Sequence, residues 1–141
     1  PAPSSHLDTP AAQIDVLYAE DDPVNAELVR QILQMRPAVQ VRVAESGALA
    51  LRLAQASVPH LMLIDMNLPD MSGVQLAHRL REEPSLRDVR LVALSADALP
   101  QQIASAMACG FDRYLTKPVD FQELLRVVDG CLREGAAARR A

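Results

Sequence analysis

Tryptophan is absent from this 141-residue sequence, and its aromatic side chains amount to two Phe and two Tyr. Half of the residues are nonetheless hydrophobic, so any core must be aliphatic, built from Leu, Val, Ile, Met and Ala. Cysteine is equally scarce. Cys109 and Cys131 lie far apart and neither opens a Cys-x-x-Cys, which excludes a disulfide framework and favours a reducing compartment. No apolar run approaches the length of a membrane span and no signal peptide opens the sequence, so it reads as soluble and cytoplasmic, without direct membrane contact. Positive charge is not in excess either. The net charge of -4 and the absence of a dominant basic patch give no reason to expect nucleic acid as a partner.

What is present is an alternation. Residues 1–13, "PAPSSHLDTPAAQ", carry no apolar period and read as a linker or tail. Residues 134–141, "EGAAARRA" with Glu134 first, likewise bury nothing and read as a second tail. Between them, over residues 14–133, short apolar runs alternate with helical patterns. Strands are expected at Ile14 to Ala19, Val39 to Val43, His60 to Asp65, Val89 to Leu94 and Arg113 to Leu115. Helices follow each of them. The first starts at Pro23 behind Asp22 and ends near Met35, and the second is capped by Ser46 and ends near Ser57. The third is capped by Ser72 and ends near Arg81, and the fourth runs from Pro100 to Gly110. The last is capped by Asp120 and ends near Leu132. Five β-then-α units imply a doubly wound α/β domain, with a five-stranded parallel sheet and helices on both faces. The continuous apolar runs "LMLI" and "VRLVAL" suit strands buried on both sides.

One of those strands ends oddly. Leu61-Met62-Leu63-Ile64 runs straight into Asp65, and a breaker-rich segment with Asn67, Pro69, Asp70, Ser72 and Gly73 follows. Burying an unpaired carboxylate is costly, so Asp65 is either a cap or part of a site. In open α/β sheets ligands gather at the carboxyl ends of the strands. Here those ends carry Glu20-Asp21-Asp22, Asp65, Ser95 and Thr116-Lys117-Pro118. Converging carboxylates repel one another, and a hard divalent cation such as Mg²⁺ relieves them while keeping places for water and phosphate oxygens. Lys117 adds a mobile positive charge and Ser95 a hydroxyl donor. An anionic ligand beside Asp65 completes the set, and a phosphoryl group fits with Asp65 as nucleophile, since carboxylates form acyl phosphates.

"VLYAEDD", "LMLIDMNLPDMSG", "VALSA" and "YLTKP" stand in the order and spacing of a known family, with 44 residues from Asp21 to Asp65, 30 from Asp65 to Ser95 and 52 from Asp65 to Lys117. Over about residues 14–132 the sequence resembles the receiver domains of two-component response regulators. The resemblance implies a flavodoxin-like fold with strand order 2-1-3-4-5. It makes Asp65 the phosphoacceptor, and Glu20, Asp21 and Asp65 with the carbonyl of Asn67 the ligands of Mg²⁺, or of Mn²⁺ in its place. Ser95 and Lys117 would contact the phosphoryl group, Tyr114 would be the aromatic switch, and the Lys117–Pro118 peptide would be cis. The implied partner is a sensor histidine kinase or a histidine phosphotransfer domain. A homodimer through the fourth helix, fifth strand and fifth helix is a further expectation. The leader and the wording of the motifs are most similar to receivers attached to hybrid sensor histidine kinases, with a free-standing single-domain regulator as the alternative. Either way the implied reactions are gain and loss of the domain's own phosphoryl group.

Blander readings exist for each residue taken singly. Asp65 could cap a turn, Glu20 and Asp21 could serve a helix dipole, and Lys117 could be a solvated lysine. Together, at four strand ends, those readings lose their force. His60 and His78 read as surface or strand-edge residues, and Met62, Met66 and Met107 as packing. A Mg²⁺-dependent hydrolase working through an aspartyl phosphate uses similar groups. Haloacid-dehalogenase-like hydrolases, however, open on an Asp-x-Asp nucleophile with the acidic pair last, and here the pair comes first.

Overall fold

The computed structural model describes residues 13–140, so the expected N-terminal linker lies outside the described residues except for Gln13. Five strands, β1 (Ile14–Ala19), β2 (Val39–Ala44), β3 (Leu61–Asp65), β4 (Arg90–Ser95) and β5 (Arg113–Thr116), form one parallel sheet in the order β2-β1-β3-β4-β5. The helices are α1 (Pro23–Leu33), α2 (Gly47–Ala56), α3 (Gly73–Glu82), α4 (Pro100–Ala108) and α5 (Phe121–Arg140). A short 3₁₀ turn at Pro84–Leu86 precedes β4.

Strand periodicity divides the aliphatic core in two. Leu17, Ala19, Met62, Ile64, Leu91 and Ala93 face one way, against Ala50 and Ala54 of α2, Leu76 and Leu80 of α3, and Ala106 of α4. Val16, Tyr18, Leu61, Leu63, Val92 and Leu94 face the other way, against Val29 and Leu33 of α1 and Leu124 and Val128 of α5. The helices start where the sequence supplies acceptors. Asp22 accepts from the Val24 amide at 2.8 Å with Pro23 behind it. Ser72 and Gln75 form a reciprocal capping box, and Asp120 accepts from the amides of Gln122 and Glu123.

Three expectations need correction. The last helix does not stop near Leu132 but runs to Arg140. Its final stretch has no apolar period to read, yet Ala, Arg and Glu are strong helix formers that extend a helix already nucleated on the core. The fourth helix ends at Ala108, two residues before Gly110, which takes the left-handed conformation (φ 108°) that closes a helix without a Cβ penalty. Met107 is 43% exposed and belongs to no core, because α4 buries only Ala106 fully.

Between α1 and α5 the contact is partly ionic. Arg36, just past α1, donates to both carboxylate oxygens of Asp129 on α5, at 2.8 and 3.0 Å. That guanidinium holds the Asp129 carboxyl below its ordinary value of 3.8. A carboxyl depressed in the folded state contributes stability that is present above the unfolded value and lost as the pH falls through the folded one. Acidification from about pH 5 to about pH 3 should therefore cost the native protein more stability than Asp129→Asn. Denaturant titrations of both at the two pH values measure this, and equal losses would remove the pair from the acid sensitivity.

Candidate functional site

The carboxyl ends of β1, β3, β4 and β5 meet at one rim because the parallel register brings them there. Ala19 pairs with Ile64, Asp65 with Leu94, and Ser95 with Thr116. One step further along β1 sets Glu20 beside Asp65. Backbone bonds continue past the strand ends, from the Glu20 amide to the Ala44 carbonyl, Met66 to Leu94, and Lys117 to Ser95. The chain is thus held in register through the residues that carry the chemistry.

Glu20, Asp21 and Asp65 each offer a carboxylate oxygen within 4.8 Å of the others. Glu20 and Asp65 are buried, at 1% and 5% exposure, and Asp21 is exposed. Lys117 spans the two buried ones, with its ammonium 3.2 Å from Glu20 Oε1 and 3.3 Å from Asp65 Oδ2. Burial alone would lower the lysine's pKa, but the bond to Glu20 and the charge of Asp65 outweigh it and hold the pKa above the ordinary value. Lys117 is a permanent cation here. The other Asp65 oxygen, Oδ1, accepts the Asn67 amide at 3.0 Å, and the Lys117–Pro118 peptide is cis. An all-oxygen donor set with one exposed member suits a hard cation that retains water, which is the behaviour of Mg²⁺. The geometry thus brings together Glu20, Asp21, Asp65 and Lys117, with Asn67 next to them on the loop after β3.

Ser95 and Tyr114 are joined through the backbone of Asp97. Buried Ser95 accepts the Asp97 amide on its Oγ at 3.0 Å, which leaves its own hydroxyl hydrogen to donate. The carbonyl of the same Asp97 accepts the Tyr114 hydroxyl at 2.6 Å. Tyr114 therefore has a backbone acceptor for its hydroxyl, and its half-buried ring packs on the α2–α3–α4 side of the core. His60 and His78 are exposed, and neither belongs to the acidic cluster. His60 accepts the Asp15 amide on Nδ1 at the opposite end of the sheet.

Tyr18 is a residue that the sequence reading missed. A strand's period of two sets it on the same face as Glu20. Its fully buried hydroxyl donates to Glu20 Oε1 at 2.8 Å, while Glu20 Oε2 accepts the Asp22 amide at 3.2 Å. Burial first, and then the bond to Glu20, push the phenol's pKa up, so Tyr18 remains a donor. The signal was present in the sequence: a Tyr within an otherwise aliphatic strand needs a partner for its hydroxyl. Tyr18→Phe should cost on the order of 1.5–3 kcal/mol, the range for a hydrogen bond to a charged group. Chemical denaturation of the variant against the native protein measures it, and an unchanged midpoint would show that the bond contributes nothing.

The comparisons with known proteins agree with this geometry. The model of the response regulator receiver domain family matches residues 16–129. An uncharacterised 14.6 kDa protein of Leptolyngbya boryana is 39% identical over 83% of this chain and 88% of its own length. The peroxide stress-activated histidine kinase mak1 of Schizosaccharomyces pombe is 34% identical over 83% of this chain, which spans only 7% of that kinase. Among solved structures, the receiver domain of sensor histidine kinase PA1611 from Pseudomonas aeruginosa superposes with a TM-score of 0.77 at 28% identity, covering 86% of this chain and 98% of that one. That domain was crystallised with a magnesium ion coordinated in its active site cleft. With its fold, its strand order and a family match over most of its length, the chain belongs to the response regulator receiver domains of two-component signalling.

Proposed function

We propose that Asp65 is the phosphoacceptor, taking a phosphoryl group from a phosphohistidine on a sensor kinase or phosphotransfer domain. The observation that carries the reading is the placement of Lys117 across two buried carboxylates at a strand end. That arrangement makes little sense as a fold element, since neither carboxylate is needed to pack the aliphatic core. It makes sense as a charge set that anticipates a dianion. In the step, a carboxylate oxygen of Asp65 forms a bond to phosphorus, the P–N bond of the phosphohistidine breaks, and the imidazole nitrogen keeps the electron pair. Mg²⁺ held by Glu20, Asp21, Asp65 and the Asn67 carbonyl would neutralise charge on the transferring oxygens.

The chain's own residues then do the rest. The Lys117 ammonium is placed to follow the phosphoryl oxygens, and Ser95 has a free hydroxyl hydrogen for one of them. Moving Ser95 Oγ pulls on the Asp97 amide, and the Asp97 carbonyl carries Tyr114 with it. A phosphoryl group adds about -1.5 to -2 of charge, enough to bias such a linked pair of bonds. The cytoplasm is the compartment that suits this reading, and among the described residues no helix is long and apolar enough to cross a membrane. For the donor, we assign the face beside the site, where Val24, Leu28 and Met35 around α1 and Phe121 at the start of α5 are all about half exposed or more. The parent chain is a hybrid sensor kinase in this reading, which the match to a small part of the histidine kinase mak1 supports.

Intact-mass spectrometry tests the assignment. Acetyl phosphate with Mg²⁺ should add one phosphoryl group to the native protein and none to Asp65→Asn, and none without the cation. A phosphohistidine donor should give the same product, with Leu28→Glu slowing only this second reaction. Labelling that survives Asp65→Asn would overturn the assignment of the phosphoacceptor.

A further inference from the structure

The loop between β3 and α3 carries Asn67 across the rim, and it has little regular structure of its own. It is anchored at its far end within itself. The Met66 carbonyl accepts the Gly73 amide at 3.0 Å, and Asn67 and Ser72 form an isolated antiparallel bridge. The middle of the loop is fixed by Asp70, whose partners lie elsewhere. Its two carboxylate oxygens accept the first two amides of α2, Gly47 at 2.8 Å and Ala48 at 2.9 Å. These bonds hold the Asp70 carboxyl below the ordinary range.

A helix cap would be the plain explanation, but α2 already has one. Ser46 stands at its N-cap and accepts the Leu49 amide at 3.1 Å. Asp70 thus reaches from another element to amides that Ser46 leaves free. Its neighbour Met71 follows it onto the same spot. A Cβ on Gly47 would lie 2.5 Å from Met71 Cγ and 2.6 Å from its sulfur, so the glycine admits the loop's side chain against the helix. Two consecutive loop residues are therefore seated on the start of α2, three and four positions after Asn67.

We infer that Asp70 is a positioning residue for the chemistry at Asp65. By tying the loop to α2, it sets where the Asn67 carbonyl stands relative to the acidic cluster. It also sets the Asn67 amide, which donates to Asp65 Oδ1. Asp70 touches neither cation nor phosphoryl group and acts through the loop alone. The inference rests on the reading of Asp65 and the acidic cluster as a Mg²⁺ and phosphoryl site. Small misplacements of a coordinating carbonyl matter because Mg²⁺ demands near-ideal octahedral geometry.

The experiment compares native protein, Asp70→Asn, Asp70→Ala and Ser46→Ala. Mg²⁺ is titrated while the amide NMR signals of Asp21, Asp65 and Asn67 are followed, thermal melts are recorded, and the rate of labelling by acetyl phosphate is measured. Asp70→Asn keeps the size and one acceptor oxygen, so it guards against a variant that fails to fold. Ser46→Ala weakens the same helix without touching the loop. The Asp70 variants should lose about tenfold in Mg²⁺ affinity and in labelling rate, a change typical for groups that orient metal ligands from behind. Amide exchange at Asn67 should quicken in them. Ser46→Ala should lower the melting temperature yet keep the native Mg²⁺ affinity. If the Asp70 variants bind Mg²⁺ as the native protein does, or if Ser46→Ala loses affinity to the same extent, Asp70 is only a helix cap. If the native protein itself neither binds Mg²⁺ nor takes up a phosphoryl group, the site reading fails and this inference falls with it.

Discussion

Two buried carboxylates share the rim of this sheet because one ammonium lies between them. Lys117 sits 3.2 Å from Glu20 and 3.3 Å from Asp65. Without it, two like charges less than 5 Å apart would repel by roughly 3–4 kcal/mol at an effective dielectric near 20. Asp21 adds a third negative charge to the same place from an exposed position. One cation against three anions leaves the site underneutralised. On the proposed reading it would draw in a divalent cation, leaving Lys117 and Ser95 to receive a phosphoryl group. The remaining polar bonds serve the same end by holding the carboxylates still: Tyr18 and the Asp22 amide on Glu20, and the Asn67 amide on Asp65.

The sheet makes this arrangement possible at low cost to the core. Parallel strands place all their carboxyl ends on one edge, and the aliphatic clusters on either face pack without involving the charged residues. Packing and chemistry therefore draw largely on different residues, with Tyr18 serving both. On the proposed reading, signal transmission starts where the two meet, at Ser95. Ser95 ends a buried strand, and Asp97 offers its amide to Ser95 and its carbonyl to Tyr114. In that reading, a displacement at the site would reach the β5 side of the molecule through a single residue, Asp97.

The acidic cluster was legible from sequence because strand ends are easy to locate. "LMLI" can only be a buried strand or a short buried helix segment, and a carboxylate followed at once by Pro69 and Gly73 marks its exit. Caps at Asp22, Ser72 and Asp120 were legible because their partners lie two or three residues ahead. Asp70 was not, because the amides it binds are 23 and 22 residues away and no local pattern announces them. The Asp97 link escaped for a related reason: its backbone makes the bonds, and the side-chain identity at that position carries no trace of them. The end of α5 was misjudged because amphipathic periodicity measures burial, and the helix continues past Leu132 on propensity. Met107 was read as core or near-core packing on hydrophobicity alone, which is a one-way rule.

If the rim is held against its own repulsion for the sake of a cation, removing one charge should stabilise the fold. Calorimetric melts of native protein and Asp65→Asn, each with and without Mg²⁺, measure this directly. Without Mg²⁺ the variant should melt several degrees higher, on the order of 1–2 kcal/mol of relief, and millimolar Mg²⁺ should raise the melting temperature of the native protein alone. A variant that melts lower without Mg²⁺, or an equal Mg²⁺ effect on both proteins, would contradict the account.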